Sequence, residues 1–76
     1  MDKYEKYLIK YISETNFLDT NEIDTEVDIF ENGYIDSIGI FTLLIEIENE
    51  FGKEILLDKI STLDIYSIKN IAKLIR

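Results

Sequence analysis

A chain of 76 residues supports one hydrophobic core and one domain, near the lower size at which a domain folds without disulfides or metal. It contains no cysteine and no histidine, which excludes disulfide frameworks, zinc-finger spacings, thiol nucleophiles and imidazole bases together. An apolar fraction of 46 % argues for a packed core despite a formal charge of −8. That charge is one-sided: no Lys or Arg occurs between Lys10 and Lys53, while acids run from Glu14 to Glu50. A nucleic-acid binder would show the reverse. The acidic block either steers basic partners through its field or simply solvates the surface.

The opening residues interleave charges with apolar side chains and hold no apolar run long enough for a signal peptide or membrane helix. A cytoplasmic chain with no membrane span is the expectation. Asp2–Thr15 places Tyr4, Leu8, Tyr11 and Ile12 at helical spacing, with Lys3, Lys6 and Lys10 on the other face, and predicts a first amphipathic helix. From Asn16 to Asp36 the pattern lapses into short apolar groups separated by acids. Loops of this length in small domains are functional or pinned by their own apolar side chains. Ile29-Phe30 is the natural pin, and Gly33 after Asn32 marks a turn.

Helical periodicity returns over Ser37–Phe51, with Asp36 placed as an N-cap and Gly52 as a C-terminal stop. Asp58–Thr62 predicts a short helix. Tyr66–Ile75 predicts a last one, with Ile68, Ile71, Ala72 and Ile75 on one stripe and Ser67 or Asp64 as its cap. Glu54-Ile55-Leu56-Leu57 is a brief apolar run with no partner strand of similar length. The expected fold is all-α: a small four-helix bundle, three main helices plus a short one, with a long loop between helices 1 and 2. One domain covers residues 1–76. The expected core comprises Leu8, Tyr11 or Ile12, Phe30, Leu44, Ile47, Phe51, Ile68, Ile71 and Ile75.

At about 100° per residue the second helix has two apolar arcs. Ile40, Leu43, Leu44, Ile47 and Phe51 form the core face, whereas Ile38, Phe41 and Ile45 gather more than about a quarter-turn away. Either the long loop folds over this second cluster or it stays exposed beside Ser37 as a docking patch. Gly39, in the first turn, is a weak helix residue that is either tolerated where fraying is cheap or kept for close approach of a partner or cofactor.

The stretch Phe30-Glu31-Asn32-Gly33-Tyr34-Ile35-Asp36-Ser37-Ile38-Gly39 resembles the attachment motif of acyl and peptidyl carrier proteins, Asp-Ser followed by a large apolar residue. The order and lengths of the predicted elements resemble that family over the whole chain. The resemblance implies that a phosphopantetheinyl transferase moves the 4′-phosphopantetheine of coenzyme A onto Ser37, with Asp36 both capping the helix and helping the transferase place its metal and cofactor. Ser37 at a helix start suits the resulting phosphodiester. With no histidine to act as base, it is read as a substrate of another enzyme and not as a catalytic nucleophile.

No catalytic residue and no permanent metal site are expected. Asp24-x-Glu26-x-Asp28 fails as a calcium loop because Ile29 stands where glycine is needed. The implied partners are the transferase, an acyl- or amino-acid-loading ligase and a downstream acyl-accepting enzyme, met as a monomer through Ile38, Phe41, Ile45 and Glu48. Gly39 with Glu46-Ile47-Glu48 is more similar to D-alanyl carriers and other standalone carriers of dedicated pathways than to housekeeping fatty-acid carriers. The cargo therefore stays open between a fatty or secondary-metabolite acyl group and an amino acid. The alternative reading is an unmodified acidic helical module that binds a basic partner and does not need Ser37.

Overall fold

The computed structural model describes residues 2–75, the Leu57 side chain excepted. Three α-helices form, α1 Lys3–Asn16, α2 Gly39–Phe51 and α3 Ile68–Ile75, with single 3₁₀ turns at Thr20–Glu22 and Leu57–Lys59. No strand occurs among the described residues. Asp2 opens α1: its Oδ1 accepts the Glu5 N–H at 2.8 Å, satisfying one of the donors that a helix start leaves orphaned. Leu8, Ile9 and Ile12 follow the helical stripe inward. Between the two candidates at the helix centre, Ile12 is the fully buried one, while Tyr11 is only partly buried against the core.

The end of α1 carries strain. Phe17 takes a left-handed conformation, φ 57°, so that its N–H and that of Leu18 both reach the Ser13 carbonyl. That geometry costs a non-glycine residue about 1–2 kcal/mol, and Phe17, 95 % exposed, gains no packing in return.

The connection from α1 to α2 is tied at both flanks. Ile23 and Ile29 enter the core. The Ile29 N–H donates to the Tyr66 carbonyl at 2.9 Å, and its own carbonyl accepts from Tyr34 at 2.9 Å and Ile35 at 3.3 Å. Lys69 donates its N–H to Thr25 at 3.0 Å, and Asn16 Nδ2 reaches the Tyr34 carbonyl at 2.9 Å. The loop acids turn inward on their own backbone: Asp24 accepts the Glu26 N–H, and Asp28 the N–H groups of Phe30 and Glu31.

At the opposite end α1 meets α2 through long side chains. Tyr4 and Tyr7 set their edges against Phe51, with ring centroids at 4.9 and 5.3 Å. Gly52 ends α2 with φ 65°. Glu48 Oε2 then accepts the Ile55 N–H at 2.9 Å, and Lys53 Nζ donates to the Ile75 carbonyl at 2.9 Å, fastening the end of α3. The helix ends therefore sort: the N-termini of α2 and α3 and the C-terminus of α1 lie at the loop end, and their other termini lie together at the far end.

Several expectations shift. Helix α2 begins at Gly39 and not at Ser37, because the Asp36 side chain takes the Gly39 N–H and the Phe41 N–H closes a tighter turn onto the Ile38 carbonyl. Helix α3 begins at Ile68 and not at Tyr66, with Ser67 as the cap, its Oγ accepting from Asn70 at 3.2 Å. The expected short helix over Asp58–Thr62 shrinks to one 3₁₀ turn. Asp64 caps that connection instead, its carboxylate taking the Ser61 N–H at 2.9 Å and pulling the chain into a further turn. In the core, Phe30 and Phe51 are only partly buried, while Ile9, Ile23, Ile29, Ile55 and Ala72 join it.

Replacing Phe17 with glycine removes the left-handed penalty and loses no contact. Phe17→Gly should stabilise the fold by about 1 kcal/mol and raise the melting temperature by about 4–8 °C. Thermal unfolding followed by circular dichroism checks it; an unchanged or lowered midpoint contradicts the strain assignment.

Candidate functional site

The turn before α2 is built around Asp36. Its Oδ1 accepts the Gly39 N–H at 2.6 Å and its carbonyl accepts the Ile40 N–H at 3.1 Å, so one residue caps the helix with side chain and backbone together. The cap leaves Ser37 free of that duty. Its side chain is exposed, and no hydrogen bond engages its hydroxyl among the described residues.

Gly39 has a local reason to be glycine. A Cβ there would come within 3.0 Å of both Asp36 Oδ1 and Ile35 Cγ1, so the missing side chain is the space into which the capping carboxylate folds. Close approach of the chain's own atoms accounts for this residue.

The second apolar arc of α2 is uncovered. Ile38 is 78 % exposed, Phe41 54 % and Ile45 52 %, because the loop packs onto α1 and α3 and does not fold across this arc. Phe41 also walls a shallow aliphatic groove of about 160 Å³ whose far side is the segment from Ile60 to Ile65. Leu63 in that segment is 72 % exposed. Sequence reasoning missed this extension, since Leu63 sits between Thr62 and Asp64 in a stretch with no periodicity. Glu48, grouped with the arc from sequence, instead holds the Ile55 backbone and is partly buried.

On the other side of Ser37 lies a second groove of about 680 Å³, between Tyr11, Thr15 and Asn16 of α1 and the segment from Phe30 to Asp36. It too was not legible in advance, because it exists only where the end of α1 meets the loop.

The phenols of Tyr7 and Tyr11 are both pushed above their ordinary value, first by burial and then by the negative charge of Glu46 beside them. That direction carries them further from any role as a base near neutral pH. Among the described residues, no cluster of His, Cys, Asp or Glu is arranged to hold a metal ion, and no helix is long and apolar enough to cross a membrane.

The model of the phosphopantetheine attachment site family matches residues 6–76, nearly the whole chain and including this turn. The chain belongs to that family. Its members carry 4′-phosphopantetheine covalently, and the match is consistent with an acyl carrier protein. Carrier domains are not catalytic in themselves and work with modifying and acyl-handling enzymes. No curated protein matches the chain. The local chemistry suits the group: an exposed, uncommitted hydroxyl stands just ahead of a helix start, where a bulky substituent meets solvent and not the core.

The cap can be separated from the charge. Asp36→Asn keeps an Oδ1 acceptor and should hold stability within a few tenths of a kcal/mol, whereas Asp36→Ala should cost about 1 kcal/mol. Urea unfolding midpoints of the two variants check this; equal losses would show that the cap is not what Asp36 supplies.

Proposed function

We propose that this chain acts as a single carrier domain over residues 1–76. Ser37 receives the 4′-phosphopantetheine arm, and an acyl or aminoacyl group passes between partner enzymes on it. The supporting observation is the division of labour at one turn: Asp36 takes the capping role and leaves the Ser37 hydroxyl exposed and unbonded. In the transfer, the Ser37 oxygen bonds to the phosphorus that bears pantetheine in coenzyme A. The pyrophosphate P–O bond breaks, adenosine 3′,5′-bisphosphate leaves with the electron pair, and the serine proton goes to a base of the transferase. Asp36, negative and adjacent, assists by attracting the metal that accompanies coenzyme A in the transferase. Once the arm is attached, a cysteine-free chain has a thiol on which cargo is held as a thioester.

Partner recognition is assigned to Ile38, Phe41 and Ile45, whose exposure beside Ser37 supplies apolar contact. Acids of the loop and of α2 attract a basic enzyme surface. Glu48 adds to that field while bonded to the Ile55 N–H, so it contributes charge more than contact. The partners in this reading are a phosphopantetheinyl transferase, a loading ligase and an acceptor enzyme. The chain is a cytoplasmic monomer and not itself an enzyme. The cargo in this reading is an acyl or an aminoacyl group, and the resemblance of Gly39 with Glu46-Ile47-Glu48 to D-alanyl and other dedicated-pathway carriers leaves both open.

Incubation with coenzyme A and a broad-specificity transferase, followed by intact-mass measurement, should add one phosphopantetheine to the wild type and none to Ser37→Ala. No addition to the wild type, or equal addition to both, would sink the proposal. Partner binding that survives Ser37→Ala with biological activity intact would favour the unmodified acidic module. Phe41→Ala should weaken transferase and ligase binding by about 1–3 kcal/mol and leave the melting temperature nearly unchanged, since the side chain is more than half exposed. A lowered melting temperature with unchanged binding would remove the docking role.

A further inference from the structure

We infer that the arm carried on Ser37 does not extend freely into solvent but lies along the groove between the C-terminal half of α1 and the segment leading into the Ser37 turn. This rests on Ser37 being the attachment residue. The groove opens at Ser37 itself, and its volume of about 680 Å³ falls within the roughly 300–1,000 Å³ span of small-ligand sites. A tethered arm meets it at a high effective concentration, so the cost of lying there is the conformational freedom of the arm itself.

The polar groups on the α1 wall are poised as acceptors. Asn16 spends its Nδ2 donors on the carbonyls of Ile12 and Tyr34, both at 2.9 Å, which fixes the amide and leaves Oδ1 to accept. Thr15 spends its hydroxyl proton on the Tyr11 carbonyl at 3.0 Å; its oxygen receives only a long contact from Asn16 Nδ2 at 3.4 Å and retains acceptor capacity. The amide N–H groups of pantetheine are the complementary donors, and its methyl and methylene groups match the Tyr11 ring and Ile35. Among the described residues no cation lines the groove and the Asp36 carboxylate does, so the phosphate stays at the Ser37 turn and only the neutral part of the arm enters. The groove beside Phe41 is a poorer fit: it is about 160 Å³ and mostly aliphatic.

The bond from Asn16 to Tyr34 holds the two walls together before any arm arrives, so the groove is pre-organised. Substituting Asn16 would loosen the loop, which makes Thr15 the better probe. Its side chain bonds only to its own helix and to neighbouring Asn16.

The test compares nitrogen-15 amide spectra of the full chain before and after modification, with intact mass recorded on the same samples. Holo-minus-apo shifts should extend to the backbone of Tyr11, Thr15 and Asn16 and to the Asn16 side-chain amide, and be absent around Lys53 and Glu54. Thr15→Phe fills the groove; it should gain the same mass and lose the α1 shifts. Shifts confined to residues 35–41 in the wild type, or α1 shifts that persist in Thr15→Phe, overturn the inference while leaving attachment at Ser37 intact. Absence of any mass gain on the wild type overturns the attachment reading itself and this inference with it.

Discussion

Ile29 is the residue on which the arrangement of this small domain depends. A chain of this size has few residues with which to cover a long connection, so the connection must hold itself in place. The Ile29 side chain is fully buried, its N–H is bonded to the segment that starts α3, and its carbonyl receives two N–H groups from the turn ahead of Asp36. Core packing, the loop and the approach to α2 are thereby tied together at one residue. Asn16 closes the same frame from the side of α1. With its ends fixed this way, the loop cannot also cover the second apolar arc of α2, and Ile38, Phe41 and Ile45 remain at the surface.

The turn at Asp36 resolves a competition between two residues that could each cap a helix. Both aspartate and serine favour that role. Here the carboxylate takes it, and it can do so because Gly39 has no Cβ in the space the carboxylate occupies. The weak helix residue and the uncommitted serine are two sides of one local solution. The same carboxylate would lie beside a phosphodiester on Ser37, a repulsion in the modified chain that is an attraction for a divalent cation during the transfer.

The long periodic segments were legible in the sequence because the stripes of α1, α2 and α3 repeat at the helical period over two or more turns. Leu8, Ile12, Leu44, Ile47, Ile68, Ile71 and Ile75 reach the core as their spacing requires. Ile23 and Ile29 enter it from a stretch with no period, where the deciding contacts are hydrogen bonds to distant residues such as Tyr66. Helix starts slipped toward the C-terminus for a related reason: residues near Asp36, Asp64 and Ser67 bond their side chains to nearby backbone and favour turns over the first helical residues. The Asp-Ser turn was visible as a motif, whereas the two grooves flanking it are products of tertiary contact and left no local mark. Glu48 looked like a surface acid among surface acids, and only the path of the chain after Gly52 gives it Ile55 to hold.

The sorting of helix ends gives the molecule an electrical axis. Lys3 and Lys53 sit over the Tyr4 ring at one end, and Lys53 closes the end of α3 there. The acids of the connecting loop and the Ser37 turn occupy the other end. Acids outnumber cations most heavily at that loop end, so the molecule feels a torque in the field of a positively charged surface, not only a pull. For a carrier of the kind proposed above, that torque would turn the acidic end, and with it Ser37, toward a basic partner.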